Sequence, residues 1–405
     1  MKVAIIHNNA KTGATIHALM LAKKLQEKME ITFLVQELSD KGVDFSGLKD
    51  VVPFSNTPEE RARFQAKWPI HVSIVVRIRL WLYRIFLLRL MDKVKCIWGL
   101  FRRLEREWYN WRMPLPVELK TYLVEHDKEY DAYIVMGNYN SIPYHVLEDY
   151  SHKVILIPLV HLERSQFILS AHDIMSRVRF LAYNTLAEKM LAEKIHGSIE
   201  ALASIIGCGV ELLPPNDEAW LAFKQGKNIG DEYLLYVGRV TPRKTGEMFS
   251  FFRRYKSKYN NRLQLLIAGD NYLQGKMMDQ DIVYLGFVDD VVKSELIRHA
   301  VAVVNPSFVE SLSLIVLEAM AVSVPVLVNG QCDVLKQHCK RSGGGIYYLN
   351  YASFEKGVNL LISSPAMRKE MGEKGQVYER ELYSWDVIVQ KWEEIIREID
   401  NRNKL

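Results

Sequence analysis

The chain has few cysteines: Cys96, Cys208, Cys332 and Cys339 are the four in 405 residues. They are too few and too scattered for a disulfide scaffold, and a reducing compartment suits them better. No run of ~18 apolar residues occurs, so no membrane-spanning helix is expected. The N-terminal apolar run, Val3–Ile6, is too short for the core of a secretory signal. Low-complexity tracts and short-period repeats are absent, which excludes collagen-like, disordered and solenoid chains. Cys332, His338 and Cys339 are metal-ligand types, but no fourth ligand stands at zinc-site spacing.

What remains is ordinary globular material, 49% apolar and 25% charged. At ~100–200 residues per domain the length suggests two domains. The net charge of +5 is unevenly placed. Between Val72 and Arg112, ten basic residues stand against three acids, a local charge of +7 that leaves the rest of the chain at −2. At 100° per residue, Arg77, Arg84, Lys95, Arg102 and Arg106 share one helical stripe. Tyr83, Phe86, Leu90, Val94, Ile97, Phe101, Leu104 and Trp108 fall on the opposite side. The segment reads as a basic amphipathic helix or helix pair. Three uses are open: an anionic membrane surface, with Trp81, Trp98 and Trp108 adding apolar insertion, packing on its own domain, or nucleic acid. No nucleic-acid-binding motif accompanies it.

Along the chain, KVAII (2–6), a loop containing Gly13, a helix from about Ile16 to Lys28 and the strand ITFLVQE open an α/β pattern. Tyr130–Met136 and Lys153–Leu159 read as further buried strands, and Phe180–Tyr183 and Ala203–Ile206 as shorter ones. Ala187–His196 is helical in pattern, with Gly197 as its stop. Turn formers and charges at 212–232 read as a linker. A second α/β series starts at Tyr233 and includes a helix near Gly246–Lys258 and the helix SLIVLEAMA. The expected organisation is an N-terminal domain over 1–213 with the 72–112 insertion, a C-terminal domain over 214–384, and a last helix over 385–405 returning to the first domain. Both domains are expected to be doubly wound parallel sheets facing each other across a cleft, with ligands beyond the strands' carboxyl ends.

The chemistry concentrates in loops after strands. In VVNPSFVESLSLIVLEAMA, Glu310 precedes a helix and Glu318 lies within it. A helix start suits a phosphate, and a carboxylate accepts two hydroxyl hydrogen bonds from a diol. In YVGRVTPRKTG, Arg239 and Lys244 follow a strand and Gly238, and two such cations suit a diphosphate. In IPLVHLERS, His161 and Glu163 stand just past a strand. Gly343–Gly345 reads as a tight turn over the ligand, and Asp279–Asp281 as an Asp-x-Asp with no metal role.

Taken together these residues resemble the nucleotide-sugar-binding domain of retaining family 4, or group 1, glycosyltransferases of the GT-B fold. The family's Gly-Arg, Lys-Gly and later Glu-x7-Glu pattern is matched by Gly238, Arg239, Lys244, Glu310 and Glu318, and IAGDN (267–271) and YLGFVDD (284–290) also fit. The resemblance covers roughly 230–350. Thr245 interrupts the Lys-Gly pair, and Leu312–Ser313 stands where Phe-Gly is common. The resemblance implies that Arg239 and Lys244 hold the diphosphate, Glu318 the ribose, and Glu310 the transferred sugar. Ser311, Leu312, Ser313 and Leu314 would cover sugar and phosphate, and Phe287 and Val288 would flank the base. Gly13 would approach the donor phosphate or acceptor, and His161 would lie near the reacting sugar, where relatives often carry His-Asp.

The expected activity is retaining transfer of a hexose from a UDP or GDP sugar to a glycan or lipid-linked glycan hydroxyl, without metal or cofactor, in cell-surface polysaccharide or glycolipid synthesis. The expected location is the cytoplasmic face of a membrane, held peripherally through 72–112. Two other classes stay open: a GT-B nucleotide-sugar epimerase and a non-catalytic membrane-associated partner protein.

Overall fold

The computed structural model describes residues 1–9, 12–37, 45–64, 67–92, 95–112, 115–227, 229–273 and 281–403. The chain divides into two units, Met1–Cys208 with Val389–Leu405, and Gly209–Ile388. The boundaries read from the sequence were 213/214 and 384/385. The last helix, Trp385–Asn403, therefore contributes its residues from Val389 onward to the first unit.

Unit 1 holds seven parallel strands: β1 (Lys2–Asn9), β2 (Glu30–Glu37), β3 (Val51–Ser55), β4 (Ala132–Met136), β5 (Val154–Ile157), β6 (Phe180–Tyr183) and β7 (Leu202–Ile205). Their spatial order is β3-β2-β1-β4-β5-β6-β7. Strands β4, β5 and β6 are buried throughout, as continuous apolar runs covered by helices on both faces must be. β3 escaped the sequence reading because Pro53 interrupts it; it sits at the sheet edge, where a missing N–H costs no ladder bond. The first helix starts at Gly13, not Ile16, because Thr12 caps it by accepting from Thr15 N at 3.3 Å.

The basic segment is not the amphipathic helix or pair that its periodicity suggested. It forms three helices, Ile70–Arg84, Leu88–Asp92 and Lys95–Arg112. Phe86 takes a left-handed backbone (φ 61°) between the first two, so the 100° phase is not carried past Arg84. Val72, Val75, Val76, Leu82, Trp98, Trp108 and Tyr109 join the core of unit 1, so Trp98 and Trp108 are not surface anchors. Arg79 is buried and paired with Asp92, and Arg102 is paired with Asp173. Lys93 and Val94 lie outside the described residues, as do the side chains of Arg89, Lys95 and Ile97. Among the described residues no helix is long and apolar enough to cross a membrane.

Unit 2 holds six parallel strands: β8 (Tyr233–Val237), β9 (Gln264–Ala268), β10 (Ile282–Gly286), β11 (Ala302–Asn305), β12 (Val326–Asn329) and β13 (Gly345–Tyr348). The order β10-β9-β8-β11-β12-β13 reverses direction between β8 and β11. That reversal opens a crevice past the carboxyl ends of those two strands. The expected linker carries the helix Asp217–Gln225, whose buried Trp220 stacks on His299 at 4.7 Å. The expected helix near Gly246–Lys258 is Met248–Lys258, and a separate short helix, Pro242–Thr245, precedes it and ends at Gly246 (φ 49°). Gly343–Gly345 does make a tight turn, with Gly343 (φ 65°) ending the helix Asp333–Ser342 and Gly345 opening β13, but it stands at the amino end of that strand, not at the carboxyl ends where a ligand is expected.

Candidate functional site

The reversal point of unit 2 collects most of the residues singled out above. β8 runs into Gly238 (φ 147°), and Arg239 follows, exposed, its carbonyl accepting from the Tyr236 hydroxyl at 2.8 Å. Gly269 (φ 132°) lies so close that a Cβ there would sit 2.2 Å from the Gly238 carbonyl oxygen. The Tyr284 hydroxyl donates to the Gly269 carbonyl at 2.6 Å. Two neighbouring strand ends are therefore fixed by backbone contact that no side chain permits. Among the described residues the Arg239 guanidinium has no hydrogen-bond or ion-pair partner.

Lys244 comes from the short helix Pro242–Thr245 and reaches the loop after β11. Its ammonium donates to Glu310 Oε1 at 2.7 Å and to the Val309 carbonyl at 3.1 Å. The two loops are further tied by Phe308 N donating to the Arg243 carbonyl at 3.3 Å. The interrupting residue, Thr245, is buried and satisfies its hydroxyl on the Thr241 carbonyl at 2.9 Å. Gly246 packs beneath, where a Cβ would stand 3.0 Å from the Phe308 ring.

The loop then turns through Ser311 and buried Leu312 into the helix Leu314–Ala321. Ser313 precedes that helix with a left-handed backbone (φ 74°), a conformation that costs a side-chain-bearing residue ~1–2 kcal/mol. This is where Gly is common in the resembled family. Here the Asn305 amide donates to the Ser313 hydroxyl at 2.8 Å, and the Leu312 carbonyl lies 2.8 Å from His338 Nε2. The helix start, with its positive dipole end, thus follows the loop that carries Glu310, the partner of Lys244. Glu318 is buried within the helix and receives Lys293 Nζ at 3.1 Å. Lys293 also pairs with Asp290 at 3.0 Å. Burial lowers the Lys293 pKa, but the Glu318 and Asp290 carboxylates outweigh it and leave it raised. Phe287, 81% exposed, and Val288 follow β10 and lead into the helix that carries Lys293.

His338, set aside with Cys332 and Cys339 for lack of metal spacing, is buried and braces the loop instead. Its Nδ1 lies 3.1 Å from the Tyr378 hydroxyl, and burial pushes the imidazole down to about 4. Lys293 and His338 are the supporting residues the sequence reading missed. Asp279 lies outside the described residues.

Gly13 and His161 belong to unit 1, not to this cluster. Gly13 opens its helix in the open, with nothing within 4 Å of where a Cβ would stand. His161 follows β5, with Nδ1 2.8 Å from the Leu159 carbonyl and Nε2 3.1 Å from Glu163 Oε1. The Ser165 hydroxyl donates to Glu163 at 2.6 Å. Leu159 is left-handed (φ 55°), and buried Glu188 holds the turn by accepting from Val160 N at 2.7 Å and Asn184 N at 2.6 Å. Burial raises that carboxyl to about 8.

Residues 218–378 match the family model described as glycosyl transferases group 1. An uncharacterized glycosyltransferase of Methanocaldococcus jannaschii is 29% identical over 188 residues, 43% of this chain. The match spans about half, 47%, of that relative's length. Sucrose-phosphate synthase from Thermosynechococcus elongatus superposes with a TM-score of 0.70 at 14% identity, over 98% of this chain and 99% of that one. Anabaena HepE, solved with UDP and glucose, does so at 0.67 and 14%, over 98% and 100%. The chain therefore has two Rossmann-like parallel-sheet units of the GT-B type, and its second unit carries a group 1 glycosyltransferase domain.

Proposed function

We propose that the protein is a retaining hexosyltransferase that uses a nucleoside diphosphate sugar of the UDP or GDP type. The observation that carries the reading is the pairing of cations and carboxylates at one strand-order reversal: Lys244 with Glu310, Lys293 with Glu318, and Arg239, unpaired among the described residues, past the end of β8. Arg239 and Lys244 bind the diphosphate and stabilise the charge that grows on it as it leaves. The amides at Leu314 add dipolar stabilisation. Glu318 takes the ribose hydroxyls and Glu310 the sugar, with Gly238 and Ser311–Ser313 giving close backbone approach. Phe287 and Val288 flank the base. With cations from side chains, the transfer needs no divalent metal or cofactor. The acceptor is a glycan or lipid-linked glycan hydroxyl, and Gly13 and His161 of unit 1 are assigned to its binding. The chain works peripherally at a cytoplasmic membrane face, where an exposed part of 72–112 meets anionic lipid.

Calorimetric titration of UDP, GDP and UDP-glucose, with and without excess EDTA, tests the donor site. Tight binding of one nucleotide series, unchanged by EDTA and weakened by Glu318→Gln for nucleotide and sugar nucleotide alike, is expected. Absence of binding to every nucleotide refutes the reading. Conversion of the donor sugar without acceptor identifies an epimerase instead.

A further inference from the structure

His161 and its neighbours form a polar cluster within unit 1. The sheet of unit 1 reverses its strand order between β1 and β4, and the cluster stands past the carboxyl ends of β4 and of its neighbour β5. Tyr139 follows β4, and His161, Glu163 and Ser165 follow β5. The His161 and Glu163 side chains are 22% and 20% exposed, so both are open to a ligand. Leu159, two residues before the histidine, is held in a left-handed backbone (φ 55°), a strained conformation of the kind that gathers at functional sites.

Each ring nitrogen of His161 faces the oxygen of an accepting group. Nδ1 lies 2.8 Å from the Leu159 carbonyl, which can only accept, so Nδ1 carries a hydrogen. Nε2 lies 3.1 Å from Glu163 Oε1, and a neutral ring would turn its Nε2 lone pair toward that carboxylate. Glu163 is in turn loaded with donors. The Ser165 hydroxyl donates to the same Oε1 at 2.6 Å. The Tyr139 hydroxyl also bonds Glu163, and burial together with that carboxylate pushes it up to about 12, so it keeps its proton at neutral pH. Hydroxyl donors favour the ionised carboxylate, and an ionised carboxylate favours the doubly protonated ring. A second carboxyl, Glu188, acts on the ring from the helix Leu186–His196. Burial raises it to about 8, so at neutral pH Glu163 supplies the facing charge.

We propose that Glu163 is a positioning residue that keeps His161 as an imidazolium, and that His161 meets the acceptor as a cation and not as a base. A hydroxyl oxygen is drawn to that charge, whereas a hydroxyl proton finds no lone pair on the ring to go to. The charge on the ring is independent of the transferase reading, and only its role toward the acceptor rests on it. A basic histidine and a cationic one differ in sign. The basic one loses its function as pH falls and the ring takes up a proton; the cationic one loses it as pH rises and the ring gives one up. Removing the Glu163 charge moves that second transition to lower pH, since the carboxylate no longer favours the charged ring.

Nitrogen NMR of isotope-labelled histidine rings in the full-length protein reads the charge directly, with the His161 signals identified by their loss in His161→Gln. At neutral pH the wild type is expected to show both ring nitrogens protonated. In Glu163→Gln the ring should turn neutral about one pH unit lower, and Glu163→Asp, which keeps the charge, should recover most of that shift. A neutral His161 ring in the wild type, or an unchanged titration midpoint in Glu163→Gln, overturns the proposal. The wild-type spectrum decides even where a Glu163 variant fails to fold. Calorimetric titration of UDP and GDP on the same preparation separates the two readings: absent nucleotide binding with the imidazolium intact refutes the transferase and leaves the charged ring. Release of UDP from UDP-glucose, or of GDP from GDP-glucose, followed from about pH 5.5 to 9, should fall on the alkaline side, and that limb should move down by about one pH unit in Glu163→Gln. A limb on the acid side that moves with Glu163 marks a base and overturns the proposal.

Discussion

Replacing Glu310 with Gln tests how the donor site holds its charge. In the structure Lys244 Nζ lies 2.7 Å from Glu310 Oε1, so the lysine assigned to the diphosphate is already neutralised. An incoming diphosphate must take that cation from a carboxylate and lie near the carboxylate's own charge. Two unit charges 4 Å apart interact by about 4 kcal/mol at an effective dielectric of ~20. The side chains are 31% and 16% exposed, and solvent brings the competition down to about 1–2 kcal/mol. Glu310→Gln removes it, so UDP or GDP should bind about 5- to 30-fold more tightly. The sugar nucleotide should gain less, because the variant also loses a carboxylate contact to the sugar. Lys244→Ala acts in the opposite direction, leaving Glu310 unpaired against the diphosphate. Calorimetric titration at low and high salt measures both, and the gain in Glu310→Gln should shrink as salt screens it. A Glu310→Gln variant that binds the nucleotide no more tightly than wild type refutes the argument.

Three further outcomes are expected. Arg239→Ala removes the unpaired cation and should cost ~2.7–4 kcal/mol of transition-state stabilisation in kcat/KM; near wild-type turnover rejects its role. His338 is held near a pKa of about 4 against an ordinary value of 6.5, so the unfolded chain binds the proton first, and the stability present above pH 6.5 is lost as pH falls through about 4. Calorimetric melting across that range should show a shallower acid slope for His338→Gln than for wild type, and equal slopes reject the argument. Ser313→Ala loses the Asn305 bond and keeps the left-handed strain, so urea unfolding should show about 1 kcal/mol less stability. Ser313→Gly relieves the strain and should come out near neutral.

The sequence made the sheets legible where strands are continuous apolar runs, as in YIVM, VILI and LLIA. It also made Arg239, Lys244, Glu310 and Glu318 legible, because each stands at fixed spacing from a strand end. β13 was hidden because a four-residue strand that begins on the third of three consecutive glycines has the composition of a turn. The basic segment was misread because one left-handed residue, Phe86, resets a phase that a helical projection carries forward indefinitely. Lys293 was missed because its partner is 25 residues away on another helix, a distance no local pattern spans. His338 was judged against metal spacing, whereas its role is a hydrogen bond to the Leu312 carbonyl, a group common to every residue.

The lysine–carboxylate pairs bear on specificity. In the proposed reading each site carboxylate is held by a lysine before the donor arrives, and Arg239, unpaired among the described residues, attracts it from solution. Once bound, sugar hydroxyls can replace Lys244 on Glu310 while Lys244 turns to the phosphate, so neither charge is left unpaired. A nucleotide without its sugar takes the lysine and strands Glu310, mostly shielded from water at 16% exposure. A sugar without its diphosphate displaces the lysine and leaves it without an anion. Recognition of the two halves of the donor is thereby coupled through a single ion pair. Cleavage of the sugar–phosphate bond undoes the coupling: as the sugar departs, Glu310 again competes for Lys244 and weakens the hold on the spent nucleotide. The resting ion pair is then a device for product release as much as for donor selection.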